Sequence, residues 1–156
     1  MAAKPIPEGV SVVTPYLCVA NAVKAIEFYQ RVFDARETMR FTEPGSGRIG
    51  HAELKLGRGT IMLSDEYPEM GIKGPEKGTR PPVSIHLYVP DVDYVYQRAL
   101  AAGATSERAP EDQFYGDRAA NIRDPWGHSW FLATRIEDVS DEEMQRRFDR
   151  AAKQQG

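Results

Sequence analysis

The sequence predicts an α+β fold of two tandem βαβββ modules followed by an amphipathic C-terminal helix. Three observations carry this. A strand-like run passes straight into a helical run twice, at Thr14–Val19 then Asn21–Phe33, and at Ser84–Val89 then Asp91–Leu100. Each pair is followed by three short strand signals separated by Gly- and Pro-bearing turns. The halves also echo each other, Tyr29-Gln30-Arg31 in Tyr96-Gln97-Arg98 and Val19 in Val89, at an offset of 67 to 70 residues.

In the first half, Val23, Ile26, Phe28, Val32 and Phe33 recur at helical spacing, and Asn21 is a suitable N-cap. Strands are expected at Arg36–Thr42, Ile49–Leu56 and Thr60–Ser64, with turns at Pro44-Gly45-Ser46-Gly47 and Gly57-Arg58-Gly59. Asp65 to Pro81 reads as a surface linker: its 17 residues hold three prolines, three glycines and seven charges. In the second half Asp91 caps the helix and Gly103 stops it. Strands follow at Thr105–Ala109, Ala119–Arg123 and His128–Thr134, the last hairpin turning at Asp124-Pro125-Trp126-Gly127. In the tail, Ser140 caps a helix with Glu143 reaching back to it. Met144, Phe148, Ala151 and Ala152 fall on one face, which should dock on the body or on a second subunit. The expected organisation is one domain over 10–136, with module 1 at about 10–65, a linker at 65–81 and module 2 at about 82–136, then the tail at 137–156.

A chain of 156 residues is one domain's worth and needs no disulfides to bury a core. Hydrophobic residues at 41% and charged residues at 28% fit a soluble globular protein. The net charge of −3 argues against a general nucleic-acid binder. The single cysteine, Cys18, forms no internal disulfide and no zinc-type cluster, so a reducing cytoplasm is the expected location. No apolar stretch has the length of a signal or a membrane span.

Strand parity sorts the faces. Leu17 and Val19 oppose Thr14, Tyr16 and Cys18; Ile85, Leu87 and Val89 oppose Ser84, His86 and Tyr88. The aliphatic sets belong under the helices. By the same test Ala52, Leu54 and Leu56 leave His51, Glu53 and Lys55 opposite. Ile61 and Leu63 leave Met62 and Ser64. Ile122 leaves Asn121 and Arg123, and Trp130 and Leu132 leave Ser129, Phe131 and Ala133. The second sets mix aromatic and polar groups, as a small-molecule pocket does.

A duplicated βαβββ unit with the motifs Val13-Thr14-Pro15-Tyr16-Leu17, His51-Ala52-Glu53-Leu54, His86-Leu87-Tyr88-Val89, Phe114-Tyr115-Gly116-Asp117-Arg118 and Asp124-Pro125-Trp126-Gly127-His128-Ser129-Trp130 resembles the vicinal-oxygen-chelate superfamily. Its members include glyoxalase I, extradiol dioxygenases, and fosfomycin and bleomycin resistance proteins; the nearer resemblance is to the PhnB-like branch. The resemblance implies modules contributing to a curved mixed sheet around a cleft, and a homodimer. Metal-dependent members hold a divalent ion with four His or Glu side chains. Those positions fall here on Thr14, Met62, Ser84 and Phe131, none a His or a carboxylate.

The functional expectation is therefore a glyoxalase/bleomycin-resistance-like protein that binds a small molecule without the usual family metal or any other cofactor. The ligand-binding residues expected are Tyr16, His51, Glu53, Met62, His86, Tyr88, Phe114, Asn121, Arg123 and Phe131. One alternative is a lyase or dioxygenase with a relocated divalent metal at His51, Glu53 and His86, which are also the catalytic candidates. Another is a non-catalytic dimeric scaffold. Glu53 is expected to pair with Lys55 or Arg123, or to orient His51. Asp117 and Arg118 form either part of a loop over the cleft or a local ion pair. Trp126 stacks on a planar ligand or caps its hairpin, and Cys18 reads as a small buried hydrophobe rather than a nucleophile. No nucleic-acid or membrane partner is expected.

Overall fold

The computed structural model describes residues 2–156. Module 1 runs β1 (Tyr16–Val19), α1 (Ala22–Phe33), β2 (Arg36–Thr42), β3 (Ile49–Leu56) and β4 (Gly59–Asp65). A single 3₁₀ turn, Pro68–Met70, follows. Module 2 runs β5 (Ser84–Tyr88), α2 (Val92–Ala101), β6 (Thr105–Asp112), β7 (Asp117–Arg123) and β8 (Ser129–Arg135), and α3 (Asp141–Gln154) closes the chain. The predicted βαβββ order holds in both halves. Each half builds its own four-stranded mixed sheet, ordered β1-β4-β3-β2 and β5-β8-β7-β6. The first and last strands of each module pair in parallel, which the intervening helix makes possible.

Parity in module 1 is as expected. Leu17, Val19, Ala52, Leu54, Leu56, Ile61 and Leu63 are buried beneath α1, which contributes Ile26, Phe28, Tyr29, Val32 and Phe33. Asn21 caps α1 from a left-handed conformation, φ 70°, accepting the Lys24 N–H at 3.2 Å; asparagine tolerates that region better than most residues. Asp91 caps α2 in the ordinary extended conformation.

The last strand of each module also holds the start of its helix. In module 1 the buried Asp65 carboxylate accepts the Ala22 N–H at 2.8 Å and the Ile49 N–H at 2.6 Å. In module 2 Thr134 Oγ1 accepts the Val92 N–H at 2.8 Å and donates to the Val89 carbonyl. Both satisfy backbone donors that a helix N-terminus leaves open.

Several expectations need correction. Ile85, Leu87 and Val89 are half-buried rather than core, because β5 lies at the edge of its sheet. The stretch read as linker begins as structure: Asp65 ends β4 and holds the Ala22 N–H, and Tyr67 bridges Ile72 around the 3₁₀ turn. Strands β6 and β7 are longer than expected, because pairing continues to Asp112 opposite Arg118. Ser140 caps α3 and accepts the Glu143 N–H at 3.2 Å. The Glu143 carboxylate does not reach back; it receives Arg146, Arg147 and Arg150. Helix α3 has no buried residue and touches its own module through the Phe148–Phe114 ring contact and the Arg147–Glu137 ion pair.

The chain packs as two compact units, one of residues up to Pro82 with Trp126–His128, the other of Val83–Pro125 with Ser129–Gly156. The Trp126 turn joins the first unit through its side chains. Its indole meets the Phe28 and Tyr29 rings edge-on and tilted, at 5.6 and 6.1 Å, and His128 Nε2 lies 2.9 Å from the Cys18 carbonyl. Trp126 therefore packs on α1, where it closes the core instead of stacking on a ligand. Among the described residues no helix is long and apolar enough to cross a membrane.

Candidate functional site

In module 1 the face away from α1 is crossed by one row of side chains: Tyr16 lies opposite Met62, Met62 opposite Glu53, and Glu53 opposite Met39. His51 stands beside this row. The Tyr16 hydroxyl lies 2.8 Å from His51 Nδ1, and His51 Nε2 lies 3.2 Å from Glu53 Oε1. Burial holds the Tyr16 phenol above its ordinary pKa, with smaller contributions from Cys18, Glu53 and Tyr67 against the Ser64 hydroxyl. The phenol is therefore the donor to Nδ1, and Nε2–H donates to Glu53. Glu53 thus orients His51, as one reading expected, and pairs with neither Lys55 nor Arg123. Lys55 reaches the Gly9 carbonyl, and Arg123 pairs with Glu107.

Beside this chain lies a cavity of about 440 Å³ lined by Tyr16, Gly50, Ser64, Tyr67, Met70 and Ile72. The sheet supplies its floor through Gly50, which has no side chain to fill it. The bridged Tyr67–Ile72 segment supplies a wall. Arg48 stacks on the Tyr67 ring at 4.0 Å while paired with Glu43 and Glu69, which fixes that ring. Burial raises the Tyr67 phenol, so it enters the cavity neutral. The half-buried Cys18 thiol is raised by burial and then by Glu66 and Asp65; it is not poised as a nucleophile.

In module 2 the equivalent row is His86, Phe131, Asn121 and Arg108. His86 stacks on Phe131 at 4.7 Å and 19° and meets Tyr88 at 4.8 Å. The Tyr88 hydroxyl donates to Asp117 Oδ2 at 2.8 Å, and this bond raises the phenol's pKa. Asp117 is buried, and it is not the partner of Arg118. Arg118 instead bridges Asp93 and Asp112. Asn121 is buried within the face, whereas Arg123, Glu107 and Ser129 form a polar cluster at its end. Phe114 sits apart from this row, against Tyr115 and Phe148.

Tyr16 is 53% and Tyr88 57% exposed, and His86 is exposed although stacked. Other parts of each face are covered: in module 1 the Tyr67–Ile72 segment walls the cavity beside Tyr16, and in module 2 Asp117, Ala119, Asn121, Ser129 and Ala133 are buried. Of the positions where the family metal is carried by resemblance, Thr14 lies outside β1 and donates to the Ser11 carbonyl, and the Ser84 hydroxyl is bonded to Ser129. Met62 and Phe131 present a thioether and a ring. Among the described residues no group of three or more His, Cys, Asp or Glu side chains gathers where an ion could be held.

Sequence reasoning missed Tyr67, Ser64 as a cavity wall, and Arg108. Tyr67 fell in the segment read as linker. Arg108 lies in a strand whose parity is broken, and Pro110 close by was the available signal.

The sequence pattern of the Glyoxalase/Bleomycin resistance protein/Dioxygenase superfamily matches residues 10–132. The chain belongs to this superfamily. It is 44% identical over 135 residues to an uncharacterized protein of Mycobacterium bovis, covering 85% of this chain and 88% of that one. Among solved structures, TioX from Micromonospora sp. ML1 superposes with a TM-score of 0.61 at 28% identity, covering 81% of this chain and 99% of TioX. A PhnB protein from Bacillus cereus superposes with a TM-score of 0.64 at 18% identity, covering 80% and 99%, and so shares the fold.

Proposed function

We propose that this superfamily member binds a small, largely apolar molecule against the module 1 face, without the divalent ion of the metal-dependent members. The cavity beside Tyr16 carries the reading. Its volume of about 440 Å³ lies in the range of small-molecule sites. Its walls are Tyr16, Tyr67, Met70 and Ile72, with the Ser64 hydroxyl and the Tyr16–His51–Glu53 chain supplying a few fixed polar groups. A homodimer is proposed as the working form.

The inherited metal positions do not fit an ion, because a committed hydroxyl, a thioether and a phenyl ring are poor ligands for a hard divalent cation. A relocated ion at His51, Glu53 and His86 would have to displace Tyr16 or Glu53 from the imidazole, since both ring nitrogens are engaged.

Titration of the ¹⁵N-labelled chain with a panel of planar, apolar metabolites tests the proposal. A binder should move the amides of Gly50, Ser64, Tyr67 and Ile72 together, and Tyr67→Ala should weaken it about tenfold, the scale of one lost aromatic contact. Binding indifferent to Tyr67→Ala, or no binder across the panel, would overturn it. So would about one equivalent of tightly held Ni, Zn, Mn or Fe in protein purified without chelators.

A further inference from the structure

We propose that Arg108 anchors a second ligand site, on the module 2 face, for a carboxylate carried on a planar ring. Strand β6 pairs regularly with β7 except around this residue: the register shifts between Ser106 and Arg108 and again between Arg108 and Glu111. Such bulges re-aim side chains, and they cluster at functional sites. Here the guanidinium reaches from β6 past Asn121 and lies over Phe131, its Cζ 5.2 Å from the ring centroid. His86 stacks on the same ring from the neighbouring strand β5.

The guanidinium is only partly satisfied. Tyr115 takes a hydrogen bond from it. Nε and Nη2 are buried with no hydrogen-bond partner. Their N–H groups point from the same edge, the edge that grips a carboxylate with two parallel bonds. Arginine cannot shed its charge, so a buried, unpaired edge is costly and calls for a missing partner. Other arginines of the module show the contrast: Arg118 has Asp93 and Asp112, Arg123 has Glu107, and Arg147 has Glu137 and Glu143. Arg108 has no carboxylate partner among the described residues.

The surroundings narrow the ligand. The rings of His86, stacked on Phe131, and of Tyr115, beside the guanidinium, are suited to a planar ligand. Asp117 is buried with Oδ1 unpartnered, and its charge is felt at Tyr115, the residue bonded to Arg108. A second negative charge would be repelled there, so a monoanionic carboxylate fits better than a phosphonate dianion.

The test uses the full ¹⁵N-labelled chain, following the Arg Nε–Hε signals and the amides of Asn121 and Phe131. The probes are benzoate, benzamide and phenylphosphonate. Benzoate should shift Arg108 Nε–Hε and bind at least about tenfold more tightly than benzamide, as expected for a charge-assisted fork. Phenylphosphonate should bind more weakly than benzoate. Arg108→Gln should erase the difference between benzoate and benzamide. If Arg108→Gln fails to fold, Arg108→Lys keeps the charge and stem but loses the fork, and should weaken benzoate about tenfold. Benzamide matching benzoate, phenylphosphonate exceeding it, no benzoate shift, or unchanged benzoate affinity in the folded variants would each overturn the site. Shifts confined to Gly50, Ser64 and Ile72 would overturn it while leaving the module 1 cavity standing.

Discussion

The two modules share one backbone plan and fill it with opposite chemistry. The row Tyr16, Met62, Glu53, Met39 in module 1 occupies the same register as His86, Phe131, Asn121, Arg108 in module 2. One row holds a carboxylate joined to a phenol through His51, the other a guanidinium over a phenyl ring. Structural duties run in parallel as well. Asp65 and Thr134 both hold the helix start from the last strand, one with a carboxylate and one with a hydroxyl. The duplicated unit therefore dictates where a side chain stands and leaves its chemistry free to diverge.

The widest gap should appear at the helix caps. Asp65→Ala orphans two buried N–H groups and should cost about 4 kcal/mol, whereas Thr134→Ala should cost about 1–2 kcal/mol. Urea unfolding of both variants reads the difference, and equal losses would break the parallel. The hairpin turns should differ next. A Cβ at Gly116, φ 96°, would collide with the Glu137 carbonyl, whereas at Gly47, φ 74°, it meets nothing. Gly116→Ala should lower stability by about 3 kcal/mol and Gly47→Ala by about 1 kcal/mol.

Tyr16→Phe removes the donor to His51 Nδ1 at a half-exposed site and should cost under about 1 kcal/mol. It should also release the imidazole, seen as a change in the His51 ring ¹⁵N shifts. The smallest effect concerns α3, which module 1 has no counterpart for. The Arg147 hydrogen bond holds the Glu137 carboxyl below its ordinary pKa; Arg146 and then Arg147 do so for Glu143. A depressed folded pKa gives stabilisation that is present above the ordinary carboxylate value and lost as pH falls through the folded one. Amide protection factors in α3, corrected for the intrinsic pH dependence of exchange, should therefore fall on acidification below about pH 4, with no matching fall on the alkaline side. Glu137 is exposed and Glu143 half-buried, both at the surface, so the change is confined to the helix.

The sequence made the module order and most faces legible, because period-2 alternation survives wherever a strand has one buried side. Leu17, Val19, Ala52, Leu54 and Leu63 show this. It failed where alternation is interrupted. Two register shifts around Arg108 hide its direction, and the aliphatic residues of β5 look like core although an edge strand buries them only partly. The cavity wall at Tyr67 was hidden for another reason: a charged, proline-rich composition says nothing of the bridge to Ile72. His51 and Glu53 were legible as neighbours on one face; that Tyr16 joins them depends on β1 lying at the sheet edge, which no local pattern records.

The placement of Trp126 makes the repeat indivisible. Its indole seals Phe28 and Tyr29 from far along the chain, and His128 secures the Cys18 carbonyl beside it. A polypeptide ended at Pro82 would leave those rings bare to solvent and sticky toward other chains. The half that reads as a self-sufficient unit thus depends on a plug supplied from the other repeat.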